Sequence, residues 1–436
     1  MLHSHDTGKY IAPYGYQVDT PHLSQLAREG TLFRQAYCAG PTCSPSRAAM
    51  LTGMCAHSTG MLGLAHRGFA LNDHGRHMAN FLRTQGYETV LCGIQHEADQ
   101  AEKLGYSRIL RAEKGEQQGC GFATSDRMNA EAAAAYIRDT GAVLDKPFFL
   151  FCGLFLPHRP FVETYPEEGN YVLLPPSIAD TAENRADMAG YMSSAAWMDR
   201  CVGIVLNAVK AAGLEEDTLI VYTTDHGIAF PGMKCSLEDS GIGVSLIVKA
   251  PGNQRQGQVC DMLVSHLDLF PTVCDIAGVE PPEWLQGVSL LPVLRGSMDK
   301  EVNTFVFAEV NYHAAYEPMR CVRTKQHKLI RLYDDDPRPV LANIDDAPSK
   351  DFLLQHGFLS EIRPLEMLFD LYLDPMERVN RIGDPRYKAV HQSLSEALDE
   401  WMKETNDPLL SGKVTMPEGA VVNTRDSVSP LTEDYE

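Results

Sequence analysis

Short apolar runs alternate with stretches of helical spacing over residues 1–295, the pattern of a mainly parallel sheet with covering helices. Four runs read as strands: residues 88–92 (ETVLC), 147–156 (PFFLFCGLFL), 218–223 (TLIVYT) and 244–248 (VSLIV). Residues 126–140 and 191–212 have apolar positions at helical spacing and fit between them. Thr20-Pro21 opens a further helix through Leu23, Leu26 and Ala27, and Gly30 is placed to end it. Residues 290–298, with Arg-Gly-Ser near the end, mark a boundary. Beyond it, residues 304–310, 319–324 and 328–332 read as antiparallel strands and 387–404 as a helix. The expected fold is α/β, a large, mostly parallel sheet sandwiched by helices in residues 1–295, with a smaller C-terminal α+β domain in residues 296–436. The last twenty or so residues are polar and expected to be irregular.

Three of the runs end alike. ETVLC leads into Gly93-Ile94-Gln95-His96, PFFLFCGLFL into Pro157-His158, and TLIVYT into Thr224-Asp225-His226-Gly227. The opening residues Met1-Leu2-His3-Ser4 look like the end of another strand and lead into His5-Asp6. A first strand this short would leave a sheet edge exposed. In a parallel sheet all carboxyl ends lie on one edge, where ligands bind. His5, Asp6, His96, His158, Asp225 and His226 are therefore expected to share one rim. One such residue alone is usually a loop side chain or a helix cap; the repeated placement lifts the set.

The composition is that of a globular protein, 44% hydrophobic and 22% charged. The balance of 58 acidic to 38 basic residues, a formal charge of −20, argues against nucleic acid as a partner. It also weighs against long polyanionic polysaccharides unless the site is locally basic. No run long and apolar enough to span a bilayer occurs, so no membrane partner is expected. The opening residues have neither a basic n-region nor an apolar h-region. With eleven scattered cysteines and no CxxC pair, a cytoplasmic location with reduced thiols is the expectation. The sequence sets no oligomeric state.

The segment Cys43-Ser44-Pro45-Ser46-Arg47, continuing to Leu51-Thr52-Gly53, carries the sharpest chemistry. Pro45 suits a first helical position, Ser44 can cap it and Gly53 can end the helix. Cys43 would then stand just ahead of a helix N-terminus, where free N–H groups favour an anion. Arg47, one turn on, can offer its guanidinium to the same anion. Two other readings fit these residues: a buried structural cysteine, and a thiolate nucleophile activated by the helix.

Cys43-x-Pro45-x-Arg47 followed by Leu51-Thr52-Gly53 resembles the signature of the sulfatases, in which the cysteine is oxidised to formylglycine. The resemblance extends over nearly the whole chain. It includes Thr20-Pro21-His22-Leu23, Gly93-Ile94-Gln95-His96, Pro157-His158 and Thr224-Asp225-His226-Gly227. Lys234 with Leu237-Glu238-Asp239, His266-Leu267-Asp268, Gln286-Gly287 and Asp374-Pro375 follow in order. Glu309-Val310-Asn311-Tyr312-His313 and Tyr316-Glu317-Pro318-Met319-Arg320 resemble the heparan N-sulfatase (sulfamidase) branch.

The resemblance implies an alkaline-phosphatase-like fold and a sulfate ester or sulfamate as substrate, on a small sulfated sugar such as N- or O-sulfated glucosamine. It implies one divalent cation held by His5, Asp6, Asp225, His226 and the residue at 43. Calcium is the first expectation, with magnesium or manganese as alternatives. Cys43, Arg47, His57 and His96 would be catalytic, and His158, Lys234 and Arg320 would bind substrate. A formylglycine-generating maturation enzyme would be a partner. Two positions depart from the family: His5 stands where an aspartate is usual, and Ile94 where a lysine is usual. They keep two alternatives open, a phosphate or phosphonate hydrolase of the same superfamily with residue 43 unmodified, and an inactive anion-binding homologue. The basic residues Arg320, Arg323, Lys325, Lys328 and Arg331, with His66 and Arg67, otherwise read as solvated polarity.

Overall fold

The computed structural model describes residues 1–110, 121–140, 143, 145–164, 166–297 and 300–436. Its main sheet has the strand order β5 (Arg108–Leu110), β4 (Glu88–Gly93), β6 (Phe148–Gly153), β1 (Leu2–Ser4), β7 (Ile220–Thr224), β8 (Leu246–Lys249), β2 (Thr31–Phe33) and β9 (Gln258–Cys260). The first five of these run parallel; β8 is antiparallel to both β7 and β2, and β9 is parallel to β2. The short first strand is no edge. It lies mid-sheet, pairing with β6 on one side and β7 on the other.

The apolar runs are continuous because both faces of the sheet are covered. Val90, Cys92, Leu150, Cys152, Tyr222 and Ile247 pack into one core layer, with helices Phe122–Asp139 and Ala182–Ala211. Their neighbours Leu91, Phe149, Phe151, Val221, Leu246 and Val248 pack into the other. That second layer takes in α2 (Cys43–Thr52) and helix Leu269–Ala277. Alternate side chains on one strand thus serve opposite layers. Helix Ala182–Ala211 begins nine residues before its apolar spacing does. Thr181 caps it, its side chain accepting from the Asn184 N–H, and the polar first turns follow from that cap.

The C-terminal unit is an antiparallel sheet of β11 (Val306–Tyr312), β12 (Tyr316–Arg323), β13 (His327–Leu332) and β14 (Glu366–Asp370). The last strand, β14, is not among the runs that read as strands from the sequence. One face of this sheet is covered by helix Lys388–Glu404 through Leu394, Leu398 and Trp401. The other face joins the core of the large unit through Val310, Cys321 and Ile330. The basic run is not a solvated face: Arg320, Arg323 and Lys328 are buried. Lys328 pairs with Asp239 at 2.6 Å and Glu377 at 2.8 Å, and Arg323 with Asp239 at 2.7 Å. The tail is irregular but anchored, because Val422 and Asn423 are buried and Arg67 donates to Asn423 Oδ1 and to the Pro430 carbonyl.

Candidate active site

Strands β4, β6, β1 and β7 end on one rim and deliver His96, His158, His5-Asp6 and Asp225-His226 to it. The chain leaves β4 and β6 at facing glycines. A Cβ on Gly93, at φ 79°, would stand 2.0 Å from the Gly153 carbonyl oxygen, so no side chain fits where the two strands part. Arg159 locks the loop after β6 by a bidentate pair with Asp187 and a bond from Nε to the Ala229 carbonyl, which sets His158 beside the loop after β7.

Helix α2 closes the rim. It starts at Cys43, one residue after an extended Thr42, so Cys43 lies within the first turn rather than ahead of it, and Ser44 is not the cap. Pro45 is tolerated as the third helical residue because the first four N–H groups have no intrahelical partner. Ser44 Oγ instead accepts from the Ala65 N–H at 3.0 Å. Gly53, at φ 69°, ends the helix as its spacing predicts. Every residue of α2 is buried. Ser46 Oγ donates to the Asp225 carbonyl at 2.5 Å, and Arg47 Nε lies 3.4 Å from Asp225 Oδ2. Both terminal nitrogens of Arg47 are buried without a partner, a costly arrangement that an anion would relieve.

Asp6 takes a left-handed backbone, φ 49°, and its N–H donates to Asp225 Oδ1 at 2.8 Å. His226 Nδ1 donates to the Gly227 carbonyl at 3.0 Å, which fixes the tautomer and leaves a buried, unpartnered Nε2 3.5 Å from Asp6 Oδ1. Asp6, Cys43, Asp225 and His226 each bring one donor atom to within 4.8 Å of all the others. Two carboxylates, an imidazole lone pair and residue 43 are a donor set that fits a divalent cation. Burial favours the neutral acids, but Lys234, His158 and His226 around Asp6, and His5, His226 and Arg47 around Asp225, hold both carboxyls well below the usual range. The Cys43 thiol is pushed upward, first by burial, so the helix N-terminus does not make it a thiolate here.

His5 sits between these carboxylates and His96. Its Nδ1 is 2.8 Å from Asp6 Oδ1 and 2.9 Å from Asp225 Oδ2, and its Nε2 is 3.3 Å from His96 Nδ1. Burial, with His5 and Arg47 nearby, drives His96 down to about 2, and burial brings His158 to about 4. Lys234 Nζ reaches Asp6 Oδ2 at 3.0 Å, Asp345 Oδ2 at 3.1 Å and His158 Nε2 at 3.4 Å.

Two expected site residues lie elsewhere. Arg320 is fully buried and spends all five N–H groups on Asp407, Asn311 and the Val310 and Met319 carbonyls. It has none left for substrate. His57, on α3 (Ala56–Thr59), gives Nδ1 to Glu309 at 2.9 Å and stacks edge-on against Trp401. Both belong to an ionic cluster that ties α3 to the C-terminal sheet, formed because β11 and β12 place Glu309 and Arg320 opposite each other. The sequence reading missed Asp345, whose short acidic stretch carries no motif. His313 it noted only within the branch resemblance.

The chain matches the family model Sulfatase over residues 5–279, and the model "N-sulphoglucosamine sulphohydrolase, C-terminal" over residues 233–353. The human N-sulphoglucosamine sulphohydrolase is 30% identical to it, over 90% of this chain and 86% of the relative. The chain belongs to the sulfatase family and is a sulfuric ester hydrolase. Its fold is shared by a protein solved with its substrate D-glucosamine-2-N,6-O-disulfate (TM-score 0.74, 19% identity, 95% of this chain and 99% of that one). A phosphonate monoester hydrolase from Silicibacter pomeroyi has the same fold (TM-score 0.72, 22% identity, 98% and 99%).

Proposed function

We propose that this protein releases sulfate from a small sulfated sugar, an N- or O-sulfated glucosamine unit, using formylglycine at position 43 and one divalent cation, calcium first. The observation that carries this reading is the buried Arg47 fork, free at both ends, beside Cys43 and a four-donor cation site. Asp6, Asp225, His226 and residue 43 would hold the cation. When present, the cation stabilises negative charge on the sulfuryl oxygens and the formylglycine hydrate supplies the attacking hydroxyl. Arg47 and Lys234 bind sulfuryl oxygens as charge builds on them. His158, its Nδ1 held by the Arg159 carbonyl at 2.5 Å, keeps Nε2 as a proton acceptor. His96, a neutral imidazole with Nδ1 toward His5, is left with Nε2 to offer a hydrogen bond to the leaving oxygen or nitrogen. A formylglycine-generating enzyme is then a required partner.

In a phosphate or phosphonate hydrolase residue 43 would act unmodified. The match of the chain to the sulfatase family favours the sulfatase reading. The test is the mass of the peptide spanning residue 43 in protein from its own host, with sulfate release from glucosamine N-sulfate and 6-sulfate. An aldehyde or its hydrate at 43, and release abolished in Cys43→Ala, are expected. An unmodified thiol with undiminished release from Cys43→Ala would overturn the mechanism.

A further inference from the structure

Sulfate sites collect cations, yet Asp345 places a carboxylate at this one, 3.1 Å from Lys234. Its side chain is 17% exposed while that of Lys234 is 4% exposed, and its Oδ2, the oxygen nearest the ammonium, is buried without a hydrogen-bond partner. A bare carboxylate there repels an incoming anion and offsets one of the two cations, Arg47 and Lys234, that face the sulfuryl group. Holding Lys234 does not require it, since Asp6 already pairs with that ammonium at 3.0 Å.

The placement of Asp345 is built in. Asn343, two residues earlier, accepts from the Ala315 N–H at 2.9 Å and donates to Glu317 at 2.8 Å, so the loop is laced to the turn between β11 and β12. That turn carries His313, which is buried with Nδ1 unpartnered. The turn is held in its own right: the Tyr312 N–H donates to the Leu62 carbonyl at 3.0 Å, and Arg67 reaches the Ala314 carbonyl at 3.3 Å. The C-terminal unit thus brings an anionic acceptor, Asp345, to Lys234.

Resting on the sulfatase reading, we propose that Asp345 forms the subsite for the sugar group next to the scissile sulfate. It selects a hydrogen-bond donor there, a hydroxyl or a free amine, and rejects a second sulfate. The anionic acceptor bonds a donor but meets a neighbouring sulfate as a like charge, and such repulsion is an efficient source of discrimination.

The test compares kcat/KM for glucosamine 6-sulfate and N-sulfate with that for glucosamine N,6-disulfate, in the metal-loaded, formylglycine-bearing enzyme and in Asp345→Asn. The wild type is expected to prefer the better monosulfated sugar by at least about 10-fold. Asp345→Asn should bring the ratio to within about 3-fold, mainly through KM for the disulfate, while Asp345→Glu restores it. Equal turnover of mono- and disulfated sugars by the wild type would overturn the proposal. So would an unchanged ratio in a folded Asp345→Asn. Should that variant not fold, the wild-type ratio alone decides. Absence of sulfate release from every sugar would instead count against the sulfatase reading itself.

Discussion

Arg47 is fully buried, yet only its Nε has a carboxylate in reach, at 3.4 Å from Asp225. Folding a guanidinium away from water and leaving both terminal nitrogens unpaired costs stability, and the cost is offset only when an anion arrives. Arg47→Lys keeps the charge and loses the planar fork. It is expected to lower kcat for sulfate release by about 100- to 1000-fold, the usual loss for one preorganised donor. Steady-state kinetics check this, with a melting curve to show that the variant is folded. Equal kcat would mean that the fork does not face the sulfuryl group.

At the scale of elements, the cluster joining α3 to β11 and β12 is structural. Arg320→Ala leaves Asp407 buried without its main cation and Glu309 with His57 alone, and is expected to cost about 3–5 kcal/mol of stability, measurable by denaturant unfolding. The pH dependence of the cluster has a definite sign. Burial opposes a charged His57, but Glu309 and Cys55 outweigh it and hold the imidazolium up to about 11, from 6.5. Burial likewise opposes the Glu309 anion, but His57 and Arg320 bring it from 4.5 to about 2. The His57 contribution is thus whole below 6.5 and fades as pH rises toward about 11. That of Glu309 is whole above 4.5 and fades as pH falls toward about 2. The stability gap between wild type and His57→Gln should be widest between those limits and narrow steadily into alkali. A gap that stays constant through the alkaline range would show His57 to be neutral.

Over the whole molecule, a cation would tie together the ends of β1 and β7 and the start of α2, three segments far apart in sequence. Ligand that binds only the folded state stabilises it by mass action. Calcium at about 100 times its Kd is therefore expected to add about 2.7 kcal/mol to the unfolding free energy. Chelation should remove that increment together with sulfate release, and calorimetry with and without chelator checks it. A melting temperature indifferent to both calcium and chelator would remove the cation from the reading. No helix among the described residues is long and apolar enough to cross a membrane.

What the sequence determined by itself is local or repeated. The parallel core was legible in runs buried on both faces, α2 in its proline and terminal Gly53, and the rim in three strands ending on histidine or aspartate. Those signals need only period, capping chemistry and the rule that parallel strands share an edge. Tertiary structure decided the rest. The first strand became central because β6 and β7 pair with it on both sides. Arg323 and Lys328 carry no local mark of burial, and the docking of the C-terminal sheet on the large unit sets them against Asp239; Arg320, on the other face, is buried by Asp407 within the C-terminal unit. Asp345 has no motif; it reaches Lys234 because its loop is tied through Asn343 to the turn between β11 and β12. Contacts between segments hundreds of residues apart leave no period for a sequence to show.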